Sequence, residues 1–264
     1  MKTFHNGSRS VNFFHTSGMM RSMCYSVQIQ KDLEVLKRKF GALVNEADLA
    51  LYQELQVKGK DPEFVKMALG LKTKPRSEFF KEPGPDGRIF PGYFAWIMVL
   101  EDEKRVFKKM RYRLRPKGSR EEIPSKFNVF NARSDSLMVR QTWKPIFGRQ
   151  HGLFPFLRFY EWVEHEGQKR IVSFNPGEHE IMWAPCLWDY WEAPDKSLHF
   201  HSFALITDEP PAEVAAAGHD RCPIFLKEEQ INFWLETKGK SPEDFLRLFS
   251  QKEEVTYYPL WESA

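Results

Sequence analysis

Apolar residues in the first part of the chain recur at helical spacing. Leu33, Leu36, Phe40, Leu43, Val44, Ala47, Leu51 and Leu55 predict one amphipathic helix ending near Lys58-Gly59. Asp61-Pro62-Glu63 reads as a cap with proline at the first helical position, opening a short helix toward Leu71. Residues 73–92, rich in Pro, Gly and Lys, read as a loop. From Tyr93 the period changes to that of strands. Segments 94–100 and 106–114 flank Glu101-Asp102-Glu103 and predict a hairpin. Further strands are predicted over 156–163, 170–174, 179–187 and 199–207, with Glu166-Gly167-Gln168 and Asn175-Pro176-Gly177 as turns. A helical tail follows, in which Ser241-Pro242-Glu243-Asp244 forms a capping box before Phe245, Leu246 and Leu248. The expected class is α+β: a single, mainly antiparallel β domain over 24–264 with peripheral helices and no internal repeat.

Composition narrows the classes. A hydrophobic fraction of 42% supplies a sizeable core and argues against disorder. No apolar run approaches the roughly 20 residues of a spanning helix, so no membrane partner is expected. Three cysteines without a Cys-x-x-Cys pair give no disulfide or metal framework, which suits a reduced, cytoplasmic compartment and a chemistry without cofactor or metal. Residues 1–23 are basic and acid-free and lack the apolar stretch of a secretory signal; they read as a leader, disordered or removed, with Met19, Met20 and Met23 as later starts.

Charge matters by position. The 39 Lys plus Arg and 36 Asp plus Glu nearly balance, yet residues 104–120 hold nine of those bases and no acid. On an alternating strand Arg111, Arg113 and Arg115 share one face, with Tyr112 and Leu114 on the other. Such a row fits a track for phosphates; the charge run by itself reads rather as a solvated edge strand whose charges block aggregation.

Four places carry candidate chemistry. Cys24 follows Met23; it reads either as a small buried residue or, once the preceding residues are lost, as a terminal amine and thiol on adjacent carbons. That pair condenses with an aldehyde to an imine, and the thiol closes onto the same carbon to give a thiazolidine. Asn131-Ala132-Arg133 joins an amide to a guanidinium. Glu161, among the aromatics of Phe159-Tyr160-Glu161-Trp162, faces either solvent or the core, where desolvation would suit it to proton transfer. His219-Asp220-Arg221 offers a loop histidine able to shuttle protons, or one merely exposed.

In this order, Met23-Cys24, Asn131-Ala132-Arg133, Phe159-Tyr160-Glu161-Trp162 and His219-Asp220-Arg221 resemble the SOS response-associated peptidase (SRAP) family. Trp143-Lys144-Pro145 and the strand before the His219 loop add to the likeness, which runs from Cys24 to about Leu226. The resemblance implies a β-barrel-type domain that recognises abasic sites in single-stranded DNA and crosslinks to the ring-opened sugar. It implies Cys24 as nucleophile, Asn131 orienting its amine, Glu161 moving protons and His219 opening the sugar. Arg133 and Arg221 would hold flanking phosphates, and a monomer is expected. The same Cys24, Glu161 and Asn131 would remove the preceding residues. Two departures stand out. Tyr25-Ser26 follow the cysteine where the family commonly has Gly-Arg, which implies one phosphate contact fewer. Tyr112-Arg113-Leu114-Arg115-Pro116 replaces a Trp-Gly pair, leaving Tyr112 as the candidate base stacker. A thiol peptidase using Cys24 and His219 on other chains, and a noncatalytic single-strand binder, are the competing readings.

Overall fold

The computed structural model describes residues 26–75, 78–124, 126–177 and 181–262. Cys24, the leader before it, and His179 at the start of a predicted strand lie outside them. In chain order come β1 (Ser26–Gln28), α1 (Leu33–Phe40), β2 (Leu43–Val44), α2 (Glu46–Lys58) and α3 (Pro62–Leu69). Next are β3 (Arg88–Ile89), β4 (Phe94–Glu101), β5 (Lys104–Tyr112), β6 (Asn131–Arg133) and β7 (His151–Phe156). They lead into β8 (Arg158–His165), β9 (Gln168–Asn175), β10 (Met182–Glu192) and β11 (His199–Asp208). The chain finishes with α4 (Ala212–Ala216), β12 (Cys222–Pro223), α5 (Ile231–Leu235), α6 (Pro242–Phe249) and β13 (Tyr258–Trp261). The class is α+β, as expected.

Five strands close a barrel in the order β11-β10-β7-β4-β5, and β5 returns to β11 through parallel pairs Ser202↔Arg111 and Phe203↔Tyr112. Closure leaves those strands no free edge. Large rings fill the interior: Tyr112 stacks on Phe203 with centroids 5.0 Å apart, and Phe154 lies 5.0 Å from Phe203. A second, antiparallel sheet runs β13-β9-β8-β1-β3. A smaller apolar cluster, including Leu55, Val65, Phe80 and Trp191, packs α2 and α3 against the barrel's outside.

Local signals explain most boundaries. The β4–β5 hairpin turns on Asp102 and Glu103, both left-handed (φ 46 and 62), the geometry that a two-residue turn between twisted strands requires. Asp61 caps α3, and Ser241 with Asp244 forms the capping box of α6. The single helix expected to end near Lys58 is instead two. Gly41 takes a left-handed φ of 59 and ends α1; Leu43 and Val44 then pair with Val106 and Phe107 of β5; Asn45 caps a new helix. The strand expected over 156–163 is also divided. Phe156 ends β7 in the barrel, and Arg158 begins β8 in the other sheet. β7 itself was hidden by Gly152 and Pro155. At Gly152 a Cβ would meet Ile97 Cγ2 at 2.7 Å and Cys186 Sγ at 3.1 Å, so neighbouring side chains need the missing carbon.

His151 anchors β7 to the C-terminal helices. Its ring stacks on Trp234 at 3.7 Å, Nδ1 faces the Trp234 carbonyl at 2.9 Å, and Nε2 accepts from Gly148 N–H at 2.9 Å. That pattern requires the neutral ring. Burial lowers His151 to about 3, and burial likewise lowers His201 to about 4. Both folded values lie under the ordinary 6.5, so the unfolded chain takes up protons first. The stability these rings contribute is complete above about pH 6.5 and is lost as the pH falls toward 3. Urea unfolding should give a steady midpoint near neutrality and a falling one below about pH 6. A midpoint constant down to about pH 4 contradicts this.

Candidate functional site

Glu161 sits on β8, whose alternation turns Phe159, Glu161 and Val163 to the core and leaves Trp162 on the opposite face. Phe159, not Trp162, therefore shares its apolar side. The Glu161 side chain is fully buried, and His219 is 4% exposed, so neither is the solvent-facing residue that pattern alone allowed. His219 Nε2 lies 3.0 Å from Glu161 Oε2. The other ring nitrogen, Nδ1, meets the backbone of Arg221, 2.9 Å from its carbonyl and 3.3 Å from its N–H. With Nε2–H donated to the carboxylate, Nδ1 either accepts from that N–H or, protonated, donates to that carbonyl. Both charge states of the ring are accommodated without moving it. Gly218 before it holds a φ of 96, a turn that a side chain at that position would strain.

Asn131 opens β6 and is buried. Asn128 Oδ1 accepts from Phe130 N–H (3.1 Å) and Asn131 N–H (2.9 Å), an Asx turn that launches the strand. The Tyr112 hydroxyl donates to Asn131 Oδ1 at 2.9 Å and fixes which way the amide points. β6 then pairs with Leu205–Thr207 of β11, while β12 pairs with Thr207 and Asp208 on the other side. The end of β11 thus joins the Asn131-Ala132-Arg133 segment to the His219 loop. Arg133 and Arg221 both reach Asp135 Oδ2, at 2.5 and 3.7 Å. Asn131 and Arg133 line a surface cleft of ≈ 330 Å³ together with Lys126, Phe127 and Arg140.

The basic row is a correction. β5 ends at Tyr112, so only Arg111 lies on the strand and Arg113 and Arg115 follow it; they are 4%, 9% and 0% exposed and form no open phosphate track. All three converge on Glu122: Arg111 at 2.9 Å, Arg113 at 3.3 Å and Arg115 at 3.1 Å. Arg111 also lies over Phe79 and Arg115 over Trp191. Burial pushes the Glu122 carboxyl up, yet Arg111 and then Arg115 hold it below the ordinary range. Barrel closure and the tight turn after Arg111 bring the three under α3 and the 115–123 loop, where sequence pattern suggested an edge. Tyr112 is likewise corrected: fully buried, it stacks on Phe203 inside the barrel and positions Asn131 rather than stacking on a base. Cys186 and Cys222 are buried, and burial pushes both thiols up, which leaves neither with thiolate to use as a nucleophile.

Residues 23–263 match the family described as SOS response associated peptidase (SRAP). The chain belongs to that family. Among its relatives is a rat protein named abasic site processing protein HMCES, 26% identical over 209 residues. That match spans 68% of this chain and 59% of the rat protein. The Bacillus subtilis protein named abasic site processing protein YobE is 23% identical over 170 residues, 62% of this chain and 76% of that one. A crystal structure of a Bordetella bronchiseptica protein superposes with a TM-score of 0.64 at 16% identity, covering 91% of this chain and 100% of that one. A Bacteroides thetaiotaomicron protein gives 0.64 at 13% identity, over 90% and 92%. At those identities the likeness is one of fold.

Within this SRAP fold, the cleft residues that sequence reasoning missed are Lys126, Phe127 and Arg140. Phe127 is 53% exposed, and Lys126 Nζ lies 5.1 Å from its ring centre. Nothing in their spacing marks them; they meet only because the 123–143 loops fold back beside β6. Among the described residues no helix is long and apolar enough to cross a membrane.

Proposed function

We propose that this SRAP chain captures abasic sites in single-stranded DNA covalently, through Cys24 as the N-terminal residue of a domain spanning 24–264. The amine of Cys24 adds to the aldehyde of the ring-opened sugar and expels one water to give an imine. The thiol then adds across the C=N bond; its sulfur joins the carbon, its proton ends on nitrogen, and a thiazolidine results. Glu161 takes a proton from the attacking amine and returns it to the departing hydroxyl. His219 protonates the ring oxygen of the closed sugar as its bond to C1 breaks, and the C1 hydroxyl gives up its proton to Glu161, leaving the aldehyde. Asn131 orients the amine, and Arg133 and Arg221 hold flanking phosphates. Removal of residues 1–23, by later initiation or by the same Cys24, Glu161 and Asn131, precedes this chemistry.

The observation that carries the reading is the buried 3.0 Å contact between Glu161 and His219. A carboxylate and an imidazole at that distance exchange a proton without solvent, which both ring opening and imine formation need. Strand pairing adds support. Ser26 pairs with Tyr160, the neighbour of Glu161, so the first described strand runs beside the strand that carries the carboxylate. The cleft beside Asn131 offers three cations and an exposed ring, the composition of a single-strand groove. The names of the relatives point the same way.

The test is an adduct that survives denaturation. The chain beginning at Cys24 should form one with an abasic oligonucleotide and none with intact DNA, and Cys24→Ala should form none. Equal yield from Cys24→Ala would eliminate the proposed nucleophile.

A further inference from the structure

β3 and β8 both pair with β1, so the three strands carry a row of side chains on one face of the second sheet. Gln28 stands between Arg88 and Arg158 in register, and Ser26 stands beside Tyr160. Arg88 is half-buried and held in two ways. Its guanidinium carbon lies over the Tyr160 ring, 3.8 Å from the centroid, and Nε donates to Ser26 Oγ at 2.8 Å. Stacking and a single anchoring bond fix the plane of the group. They leave the outer fork, Nη1 and Nη2, without a hydrogen-bond partner or carboxylate among the described residues. Arg158 adds a second cation with no ion pair among them, and its Nε is buried without a hydrogen-bond partner. Burial raises the Tyr160 phenol; the fields of Arg158 and then Arg88 oppose that rise, and those of Glu262 and Asp86 add to it more weakly.

The arrangement differs from the chain's other stacked arginines. Arg111 and Arg115 also lie over aromatic rings, but their forks are consumed by Glu122. Arg88 has a comparable seat and no carboxylate on its fork; Asp86 Oδ1 accepts from its backbone N–H at 3.0 Å instead. A planar fork seated on a ring, with both outer nitrogens open, fits the two free oxygens of a phosphodiester. The half-buried position of Arg88 at the sheet's surface, beside Ser26, suits a backbone phosphate rather than a fully buried ion.

We propose that Arg88, seated on Tyr160 and Ser26 and assisted by the charge of Arg158, binds one backbone phosphate of the DNA strand next to the abasic sugar. This rests on the proposed capture of single-stranded DNA and adds a site distinct from the Arg133–Arg221 pair. Arg88 is a binding residue for the strand and takes no part in the bond-forming steps.

Binding of intact single-stranded oligonucleotide to the full chain carrying Cys24→Ala tests it, because no adduct interferes. Adding Arg88→Gln should weaken binding about tenfold near 0.15 M salt and lower the slope of log K against log salt by about 0.7, one phosphate's worth. Ser26→Ala, which removes the anchor and keeps the cation, should weaken binding less. Oligonucleotides with one methylphosphonate moved along the strand should show one linkage whose loss weakens the parent about as much as Arg88→Gln does. That linkage should then make no further difference in the Arg88→Gln protein. An unchanged slope with only a lower melting temperature would make Arg88 a structural clamp and overturn the proposal, as would weakening without a linkage preference. Adduct formation by the chain with Cys24 intact is read separately. Its failure would remove the capture mechanism while this binding result stood.

Discussion

Glu161→Gln should slow adduct formation at least about a hundredfold at saturating DNA, the range expected when a positioned proton-transfer group is lost. Glutamine has nearly the same shape, so the variant keeps β8 and the packing on Phe159 intact. It exchanges a group that accepts protons for one that cannot. His219→Gln should have a comparable effect, and the two together should cost little more than either, because the 3.0 Å contact makes them one unit. Single-turnover time courses on denaturing gels provide the measurement, with thermal melting as the check on folding. A Glu161→Gln rate within about threefold of the parent would remove Glu161 from proton transfer, since an effect so small falls below that range.

The second large effect is on stability. Glu122 is the one carboxylate ion-paired with Arg111, Arg113 and Arg115 among the described residues, and its side chain is 13% exposed. Glu122→Gln leaves three buried guanidinium groups facing one another, and breaking a buried pair from one side costs about 3–5 kcal/mol. Urea unfolding should show a loss of that order. Adding Arg115→Met, which removes the most deeply buried cation, should recover part of it. A loss under about 1 kcal/mol would mean that water reaches the cluster and screens it.

The arginine row shows where sequence reading stops. Spacing along 111–115 suggested one strand face for three guanidinium groups; they do meet, at Glu122, but β5 ends at Tyr112 and only Arg111 lies on it. Which way that face points depends on β5 closing onto β11 by two parallel pairs about 90 residues apart in sequence, a contact no local pattern announces. The same closure buried Tyr112 and converted a candidate base stacker into the group that orients Asn131. Features governed by neighbours along the chain were legible: the Asp102-Glu103 turn, the proline-led α3 and the capping box of α6. So was the inward Glu161 as one of two alternatives, which core packing then decided. Strand β7 escaped because Gly152 and Pro155 are poor strand formers, and the requirement for glycine comes from Ile97 and Cys186 on other strands. Ser26 is the subtler case. The sequence suggested one phosphate contact fewer there, whereas the fold brings Arg88 on β3 to hydrogen-bond that same hydroxyl.

The claim on which the rest depends is that a free Cys24 amine and its thiol both bond to the sugar carbon. Intact-mass measurement of the adduct tests it most directly. The account predicts the mass of a chain beginning at Cys24 plus that of the abasic oligonucleotide less one water, unchanged by borohydride because no imine remains. An adduct that retains residues before Cys24, or one that gains two hydrogens on reduction as an open imine does, would contradict it.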